Sequence, residues 1–439
     1  MASDKFNSIV HVLAQAARPL SPTGVLSGKT FAAKANIATS RAPVDCASRV
    51  LDSYTGPFTS TAVRLLEQAG AVCIGTTNMD EFGMGSASTH SSHGAVVNPQ
   101  YYPANHVAGG SSGGSAACVA AGLADFALGT DTGGSVRQPA AWCGVVGFKP
   151  TYGSISRFGV VAYAQSLDTV GILARSVRTT RDVFGVLDKW DDNDVTALPL
   201  SVRGRKAKEG PWVVGVPEQM LLGEVGPEAL EALELALVGL KKLGHKIVPV
   251  SIPALSRSLS AYYTLATAEA ASNLARYDGV RYGENEKGHS FGVEVRRRVL
   301  SGTYTLSSES GSHYKHATLV REKLVEELNC VFASAHSFVG VGEKHKDVAR
   351  NGPDSGSGVD VLLAPTVLGR APERDVYDQI TRNFIEGYAG DVLTVPASLA
   401  GLPTVSVPFN GVGIQVMAQH GDDATALSVS EAVETIFAQ

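Results

Sequence analysis

The chain carries two glycine- and serine-rich stretches, Gly109-Gly110-Ser111-Ser112-Gly113-Gly114-Ser115 and Gly129-Thr130-Asp131-Thr132-Gly133-Gly134-Ser135-Val136-Arg137-Gln138-Pro139-Ala140. Their Gly–Gly–Ser turns lie 24 residues apart, with a predicted helix and strand between them. Consecutive glycines let the backbone turn tightly and direct its N–H groups into one concavity. Such a concavity suits an anion, either a phosphate or the oxyanion that forms during acyl transfer.

A phosphate-binding P-loop requires a Lys–Ser or Lys–Thr pair at the end of its glycine run. Here the second run ends in Ser135-Val136-Arg137, so the sequence lacks that pattern. A single turn of this kind would be read as an ordinary surface turn. Two of them, the second placed directly after a predicted strand, favour a functional site.

A serine nucleophile needs a base to remove its proton. His90, His93 and His106 are nearby in sequence, but no Gly-x-Ser-x-Gly motif accompanies them. His90 and His93 lack an evident third ligand, so no metal is expected. Lys34 is a second candidate base, because burial disfavours the charged ammonium form and a neutral lysine accepts a proton. Taken alone, a lysine at a strand end is usually just a surface residue.

Hydrophobic periodicity predicts an α/β fold with a mixed or largely parallel sheet. The predicted helices cover residues 59–70, 116–122 and 227–243, and the predicted strands cover residues 71–75, 126–129, 212–216 and 246–250. Residues 201–211 and 340–358 have the composition of loops, the second resembling an insertion. Neither loop divides the sequence, which predicts one domain over residues 1–439.

The composition is that of an ordinary globular protein of 439 residues, with 44% hydrophobic and 18% charged residues. The net charge of −5 gives no overall electrostatic surface for nucleic acid. Five widely spaced cysteines without a CxxC motif argue against disulfides and a structural zinc site. No apolar run reaches the length of a membrane span, and no signal peptide is evident. Residues 6–20 are compatible either with a mitochondrial targeting segment or with a surface helix.

The two Gly–Gly–Ser turns, their spacing and the Lys34 segment resemble the amidase signature family. The resemblance runs from about Leu26 to the C-terminus, and it implies one large domain with a central mixed sheet covered by helices. It also implies a Ser–cisSer–Lys triad in which Ser135 is the nucleophile, Ser111 relays the proton from a cis peptide, and Lys34 is the base. The backbone of Thr132, Gly133 and Gly134 would form the oxyanion hole.

Residues 77–86, 270–279 and 302–308 resemble, more narrowly, the glutaminase subunits of glutamyl-tRNA(Gln) amidotransferases. That resemblance implies hydrolysis of glutamine and delivery of the ammonia to a tRNA-binding partner, the B subunit. This partner would activate Glu-tRNA(Gln) with ATP and Mg²⁺, so no cofactor is expected in this chain. A small third subunit would complete the complex, and tRNA would contact mainly the partner.

Glutamine carries an α-carboxylate and an α-ammonium, so its pocket needs one cation and one anion. By position in the family pattern, Arg298 would bind the carboxylate, Asp391 would bind the ammonium, and Tyr262 would line the pocket. Arg296 and Arg297 are predicted to lie on a solvated helix face. Without the resemblance, Asp391 would be read as a helix N-cap.

The sequence also departs from the family pattern, which usually has Asp where this chain has Ala35. The chain is shorter at its N-terminus than bacterial members, and residues 340–358 resemble an insertion. Together these features indicate a fungal-like version in the mitochondrial matrix. Two alternatives remain open, namely a stand-alone amidase that acts on a small neutral amide and a non-catalytic assembly subunit.

Overall fold

The computed structural model describes residues 4–13, 23–52, 54–277, 291–338 and 358–439. A single sheet of eleven strands runs through them, in the spatial order β1-β3-β2-β4-β6-β5-β10-β11-β9-β7-β8. The strands are β1 (Ile9–Val12), β2 (Thr30–Lys34), β3 (Val72–Thr77), β4 (Phe126–Asp131), β5 (Val146–Lys149), β6 (Thr169–Ala174), β7 (Val213–Pro217), β8 (Lys246–Val250), β9 (Val361–Pro365), β10 (Thr404–Phe409) and β11 (Val412–Ala418).

Helices cover this sheet and bury its central strands. They are α1 (Thr61–Gln68), α2 (Gly113–Ala120), α3 (Arg137–Cys143), α4 (Val177–Leu187), α5 (Pro227–Lys242), α6 (Ser258–Leu274), α7 (Val293–Leu306), α8 (His313–Val331), α9 (Arg374–Ile380), α10 (Phe384–Ala389), α11 (Val395–Leu399) and α12 (Asp423–Phe437). Every residue of β4 and β6 is buried, as expected for strands covered on both faces. The predicted α/β fold with a mixed sheet is therefore confirmed.

Local contacts fix where the first helix begins and ends. The Ser60 side chain caps α1 by accepting the N–H of Val63, and α1 buries Ala62, Val63 and Leu66. Gly70 follows the helix with a φ of 96°, a conformation that favours glycine. The predicted helices and strands are all present with shifts of up to three residues at their ends, the largest at the start of α2, which begins three residues before its predicted range.

The pairing of the strands decides where a site can form. β2 runs parallel to both β3 and β4, with Phe31 opposite Cys73 and Phe126. The carboxyl ends of parallel strands meet at one edge of a sheet, which is where α/β proteins place their ligands. Lys34 ends β2 and Asp131 ends β4, so the two segments with predicted site residues emerge side by side.

The N-terminal segment contains a strand, which excludes one of the two structures considered for it from the sequence. Residues 9–12 form β1, which pairs antiparallel with β3 at the sheet edge, so a surface helix is wrong at these positions. Residues 14–22 lie outside the described residues, as does the predicted insertion at 340–358 except for Gly358. Residues 203–211 have no helix or strand, as predicted. Among the described helices, none combines the length and the apolar character that crossing a bilayer requires.

Candidate active site

Lys34 is fully buried, so the interpretation as a surface lysine is wrong. Its Nζ donates hydrogen bonds to the hydroxyls of Ser111 at 2.7 Å, Ser112 at 2.9 Å and Thr130 at 3.0 Å. Burial lowers the pKa of Lys34 to about 7, although the negative charge of Asp80 and other aspartates raises it. A substantial fraction of Lys34 is therefore neutral near pH 7 and able to accept a proton.

Ser111 and Ser112 both contact Lys34, but their hydroxyls are placed differently. The Ser112 hydroxyl donates to the Thr130 carbonyl at 3.1 Å and accepts the Thr130 N–H at 3.3 Å, so its proton is in use. The Ser111 hydroxyl has Lys34 as its only hydrogen-bond partner among the described residues. The peptide between Gly110 and Ser111 is cis. Only the Ser111 hydroxyl thus has a proton that can be passed on.

Ser135 lies in the turn between β4 and α3, and Asp131 holds this turn. The Asp131 carboxylate is fully buried, accepts the Gly134 N–H at 2.9 Å, and forms an ion pair with buried Arg137 at 2.8 Å. The Ser135 carbonyl accepts the Ser112 N–H at 3.0 Å, which joins the two Gly–Gly–Ser turns directly. Ser135 itself is only half-buried, unlike its neighbours in the turn.

The backbone N–H groups of the predicted oxyanion hole differ in their hydrogen-bond partners. The Gly134 N–H already donates to Asp131, so in this structure it does not face an incoming oxyanion. The N–H groups of Thr132, Gly133 and Ser135 find no acceptor among the described residues. The Thr132 hydroxyl donates to Asp168 at 2.7 Å, which fixes the start of the turn. Among the described residues, the N–H groups of Thr132 and Gly133 thus remain available for the predicted oxyanion hole, whereas that of Gly134 is bound to Asp131.

Two aspartates that support the site were not singled out from the sequence. Asp131 stands inside the quoted second stretch, three residues before the glycine whose N–H it binds. Asp80 accepts the N–H groups of Ser88, Thr89 and His90, each at 2.8 to 2.9 Å. The Asp80 main-chain N–H also donates to the Ser111 carbonyl at 3.3 Å, so this loop supports the cis serine. Nothing in the spacing of Asp80 predicted that contact.

Two side chains from distant elements close over the second Gly–Gly–Ser turn. A Cβ atom added at Gly133 would collide with Tyr262 of α6, and one added at Gly134 would collide with Thr394. The Thr394 hydroxyl donates to the Gly133 carbonyl at 2.5 Å. Glycine is therefore required at both positions by close packing, and Tyr262 packs against Gly133, while its place in the substrate pocket stays a prediction.

Asp391 is a buried carboxylate next to this turn. It accepts hydrogen bonds from the hydroxyls of Tyr263 at 2.6 Å and Ser86 at 3.1 Å. Burial raises the pKa of Asp391 to about 6, although Tyr263 lowers it. The N-cap interpretation is wrong, because the N-cap residue of α11 is Thr394 and the Asp391 side chain bonds elsewhere.

Arg298 projects from α7 and is buried among aromatic rings. Its Nε donates to Glu294 Oε1 and its Nη1 to the Tyr163 hydroxyl, both at 2.8 Å. Its guanidinium also lies within 6 Å of the ring centres of Tyr263 and Tyr388, at 5.4 and 5.2 Å. A guanidinium has five N–H groups, so the two bonds leave donors for a carboxylate.

The neighbouring arginines behave as predicted. Arg296 is exposed, and Arg297 is partly exposed with an ion pair to Glu294 Oε2 at 2.8 Å. A cavity of about 70 Å³ lies beside Arg298. It is lined by Gly85, Ser86, His90, Val293, Glu294, Arg297, Arg298, Tyr377, Thr381, Gly387 and Tyr388. Arg298 lines this cavity directly, whereas Asp391 is only in contact with one of the lining residues, Ser86.

Known proteins share both the sequence and this architecture. The family model described as Amidase matches residues 8–427. The chain belongs to the amidase family. It is 46% identical to the A subunit of the mitochondrial glutamyl-tRNA(Gln) amidotransferase of Candida albicans, over 98% of this chain and 96% of that protein. The corresponding protein of Eremothecium gossypii is 44% identical, with the same coverage.

A solved structure supports the same assignment. The crystal structure of the glutamyl-tRNA(Gln) amidotransferase A subunit from Thermotoga maritima matches with a TM-score of 0.79 and 35% identity, over 98% of this chain and 87% of that one. The predicted family and fold are confirmed by these comparisons. The predicted mitochondrial location agrees with the names of both fungal relatives.

Proposed function

We propose that this chain is the glutamine-hydrolysing subunit of a mitochondrial glutamyl-tRNA(Gln) amidotransferase. The observation that carries the proposal is the contact between buried Lys34 and the Ser111 hydroxyl at 2.7 Å, directly beside the turn that presents Ser135. The names of the fungal and bacterial relatives point to the same activity. A buried lysine of lowered pKa in contact with a serine hydroxyl is the arrangement expected of a base, which favours a catalytic chain over a non-catalytic assembly subunit.

In the proposed first step, Ser135 attacks the side-chain amide carbon of glutamine. Its proton passes to the Ser111 oxygen while the Ser111 proton passes to Lys34, which is partly neutral because burial lowers its pKa to about 7. The same relay then returns a proton to the leaving nitrogen, so ammonia departs and an acyl-enzyme remains. A water molecule that loses its proton to the relay hydrolyses this ester to glutamate.

The negative charge on the tetrahedral intermediate would be stabilised by backbone N–H groups of the second turn. Those of Thr132, Gly133 and Ser135 have no other acceptor among the described residues, and Asp131 and Thr394 hold the turn rigid from behind. Donors fixed before the reaction need no reorganisation when the charge develops.

Substrate selection would rest on two buried charges. The free N–H groups of Arg298 would bind the α-carboxylate, and Asp391 would bind the α-ammonium, with Tyr262 between them and the turn. Arg298 is held by Glu294 and Tyr163, so its position is set before substrate arrives. A small neutral amide would use neither the remaining N–H groups of Arg298 nor the carboxylate of Asp391, which disfavours the stand-alone amidase alternative.

The ammonia would be used by other subunits. We propose that a tRNA-binding B subunit, with ATP and Mg²⁺, activates Glu-tRNA(Gln) and receives the ammonia, and that a small third subunit joins the complex. This chain would then need no cofactor of its own. Its net charge of −5 fits a division of labour in which the partner holds the tRNA.

The Ser135→Ala variant tests the proposal in the assembled complex. It should lose glutamine-dependent formation of Gln-tRNA(Gln) and keep formation from added ammonium chloride, because only the nucleophile is removed. Both reactions are measured on the same preparation, so the ammonia reaction controls for folding and assembly. Retained glutamine-dependent amidation in the variant would refute the assignment of Ser135.

A further inference from the structure

Three side chains far apart in sequence meet at the edge of the sheet behind Lys34. His11 Nε2 lies 2.7 Å and His93 Nε2 lies 2.8 Å from the same oxygen, Oδ2 of Asp45. The two imidazole rings are perpendicular, with centres 5.5 Å apart. Asp45 is buried, whereas the side chains of His11 and His93 are 24% and 28% exposed. From the sequence alone, no third metal ligand was evident for His93. In the folded chain, His11 and Asp45 lie beside it.

Hydrogen bonds to neighbouring residues hold the loops that carry Asp45 and His93 in place. Asp45 Oδ1 accepts the Ala47 N–H at 2.8 Å, which leaves Oδ2 for the two imidazoles. The Ser92 N–H donates to the Ala47 carbonyl at 3.0 Å and joins the two loops. The Asn7 side-chain amide donates to the His93 carbonyl at 3.0 Å, with β1 starting two residues later. The fold itself therefore brings the three side-chain atoms together.

We propose that His11, Asp45 and His93 bind one divalent transition-metal ion, with zinc as the ion that fits this donor set best. Two imidazole nitrogens and one carboxylate oxygen are ligands that Zn²⁺ commonly takes, and all three atoms lie within 4.8 Å of one another. Solvent can supply the fourth ligand, because both imidazoles reach the surface. This site lies outside the proposed triad and outside the pocket for glutamine.

Binding requires only a small rearrangement. Bonds of about 2.0–2.1 Å in a tetrahedral site place neighbouring ligand atoms about 3.3 Å apart, roughly half an ångström more than the present contacts. Rotation of the partly exposed imidazoles provides this space. Each Nε2 now donates to a carboxylate, so on binding its proton must leave or move to Nδ1, and the nitrogen lone pair then faces the ion.

The bound ion would tie β1 to the loops that carry Asp45 and His93. Cys46 follows Asp45, and its N–H donates at 3.3 Å to the carbonyl of Ala35, the residue after Lys34. The site therefore stabilises the segment that backs the lysine, without contacting the lysine side chain or the substrate.

The test uses the full chain in complex with its partner subunits, stripped of metal and then dialysed against zinc chloride. We expect the unmodified complex to retain one more zinc per chain than His11→Gln or His93→Gln, measured by elemental analysis. His316→Gln, which changes an exposed histidine on α8, is the matched control and should retain as much zinc as the unmodified complex. Zinc should also raise the Tm of the unmodified and control complexes but not that of the two site variants.

Cobalt provides a second measurement that does not depend on the variants. Cobalt(II) in the unmodified complex should give the visible absorption of a tetrahedral site without a thiolate charge-transfer band, because no cysteine is a ligand. Equal zinc content in the unmodified complex and both site variants would overturn the proposal. A thiolate band, or no cobalt spectrum at all, would overturn it as well.

Discussion

Lys34 donates to two adjacent serine hydroxyls at nearly the same distance, yet only one of them can act as a relay. Ser111 has Lys34 as its only hydroxyl partner among the described residues, whereas the Ser112 hydroxyl also bonds the Thr130 carbonyl and N–H. The variants Ser111→Ala and Ser112→Ala remove the same group one residue apart. We expect them to separate catalysis from stability.

The structure sets the expected magnitudes. Ser111→Ala breaks the path of the proton, and because general acid–base transfer contributes about 10²- to 10⁴-fold, kcat should fall by that factor. Such a fall in kcat corresponds to a rise of about 3–5 kcal/mol in the activation free energy. Ser112→Ala keeps the relay but removes the hydroxyl that donates a hydrogen bond to the buried Thr130 carbonyl. It should therefore lower the free energy of unfolding by about 1–3 kcal/mol and lower kcat by less than about tenfold.

The assay is release of ammonia from glutamine at saturating substrate, combined with urea unfolding of the same preparations. Ser111→Ala should unfold close to the parent, because Lys34 keeps the hydroxyls of Ser112 and Thr130 as acceptors. Equal loss of kcat in both variants would refute the distinction between the two serines. A larger loss in Ser112→Ala would assign the relay to Ser112 instead.

Three further predictions follow from the charges at the site. The kcat for glutamine should fall as the pH drops below about 7, because Lys34 becomes protonated. The KM for glutamine should rise below about pH 6, because Asp391 loses its negative charge. Rate profiles from pH 5 to 9 test both predictions, and a KM that is constant across this range would argue against binding of the substrate by Asp391. Asp131→Asn leaves a buried guanidinium without its carboxylate and should lower the free energy of unfolding by about 3–5 kcal/mol, measured with urea. Arg298→Lys should raise KM for glutamine by about tenfold or more, because a lysine cannot replace the planar donors of the guanidinium. Arg296→Lys, which changes an exposed arginine on the same helix, is the matched control and should leave KM within about twofold. Equal effects would mean that Arg298 does not bind the substrate.

Much of the fold was predictable because its signals are local. The helix at residues 61–68 has a capping serine, a buried stripe and a terminal glycine, all readable from the sequence. The pairing of strands was not readable, because it depends on contacts between segments far apart. The order in which β10 and β11 lie between β5 and β9 has no local signature.

The candidate site was also only partly predictable from the sequence. Glycine spacing indicated an anion-binding double turn, and the family pattern supplied the roles of Lys34, Ser111 and Ser135. The hydrogen bond from Gly134 to Asp131 was missed, because a carboxylate three residues before a glycine is common in ordinary turns. The pairing of Arg298 with Glu294 on one helix face was readable in principle from their spacing of four residues.

Ala35, the departure from the family pattern, can now be judged from its surroundings. Its side chain is fully buried in an apolar cluster with Ala47 and Met79, so a carboxylate here would lack the partners that burial requires. Lys34 already has three hydroxyl acceptors, and burial lowers its pKa to about 7 although the charge of Asp80 raises it. An additional negative charge next to the lysine would favour the ammonium form, which cannot accept a proton. Alanine at this position therefore fits its apolar surroundings and adds no negative charge to the segment that carries Lys34.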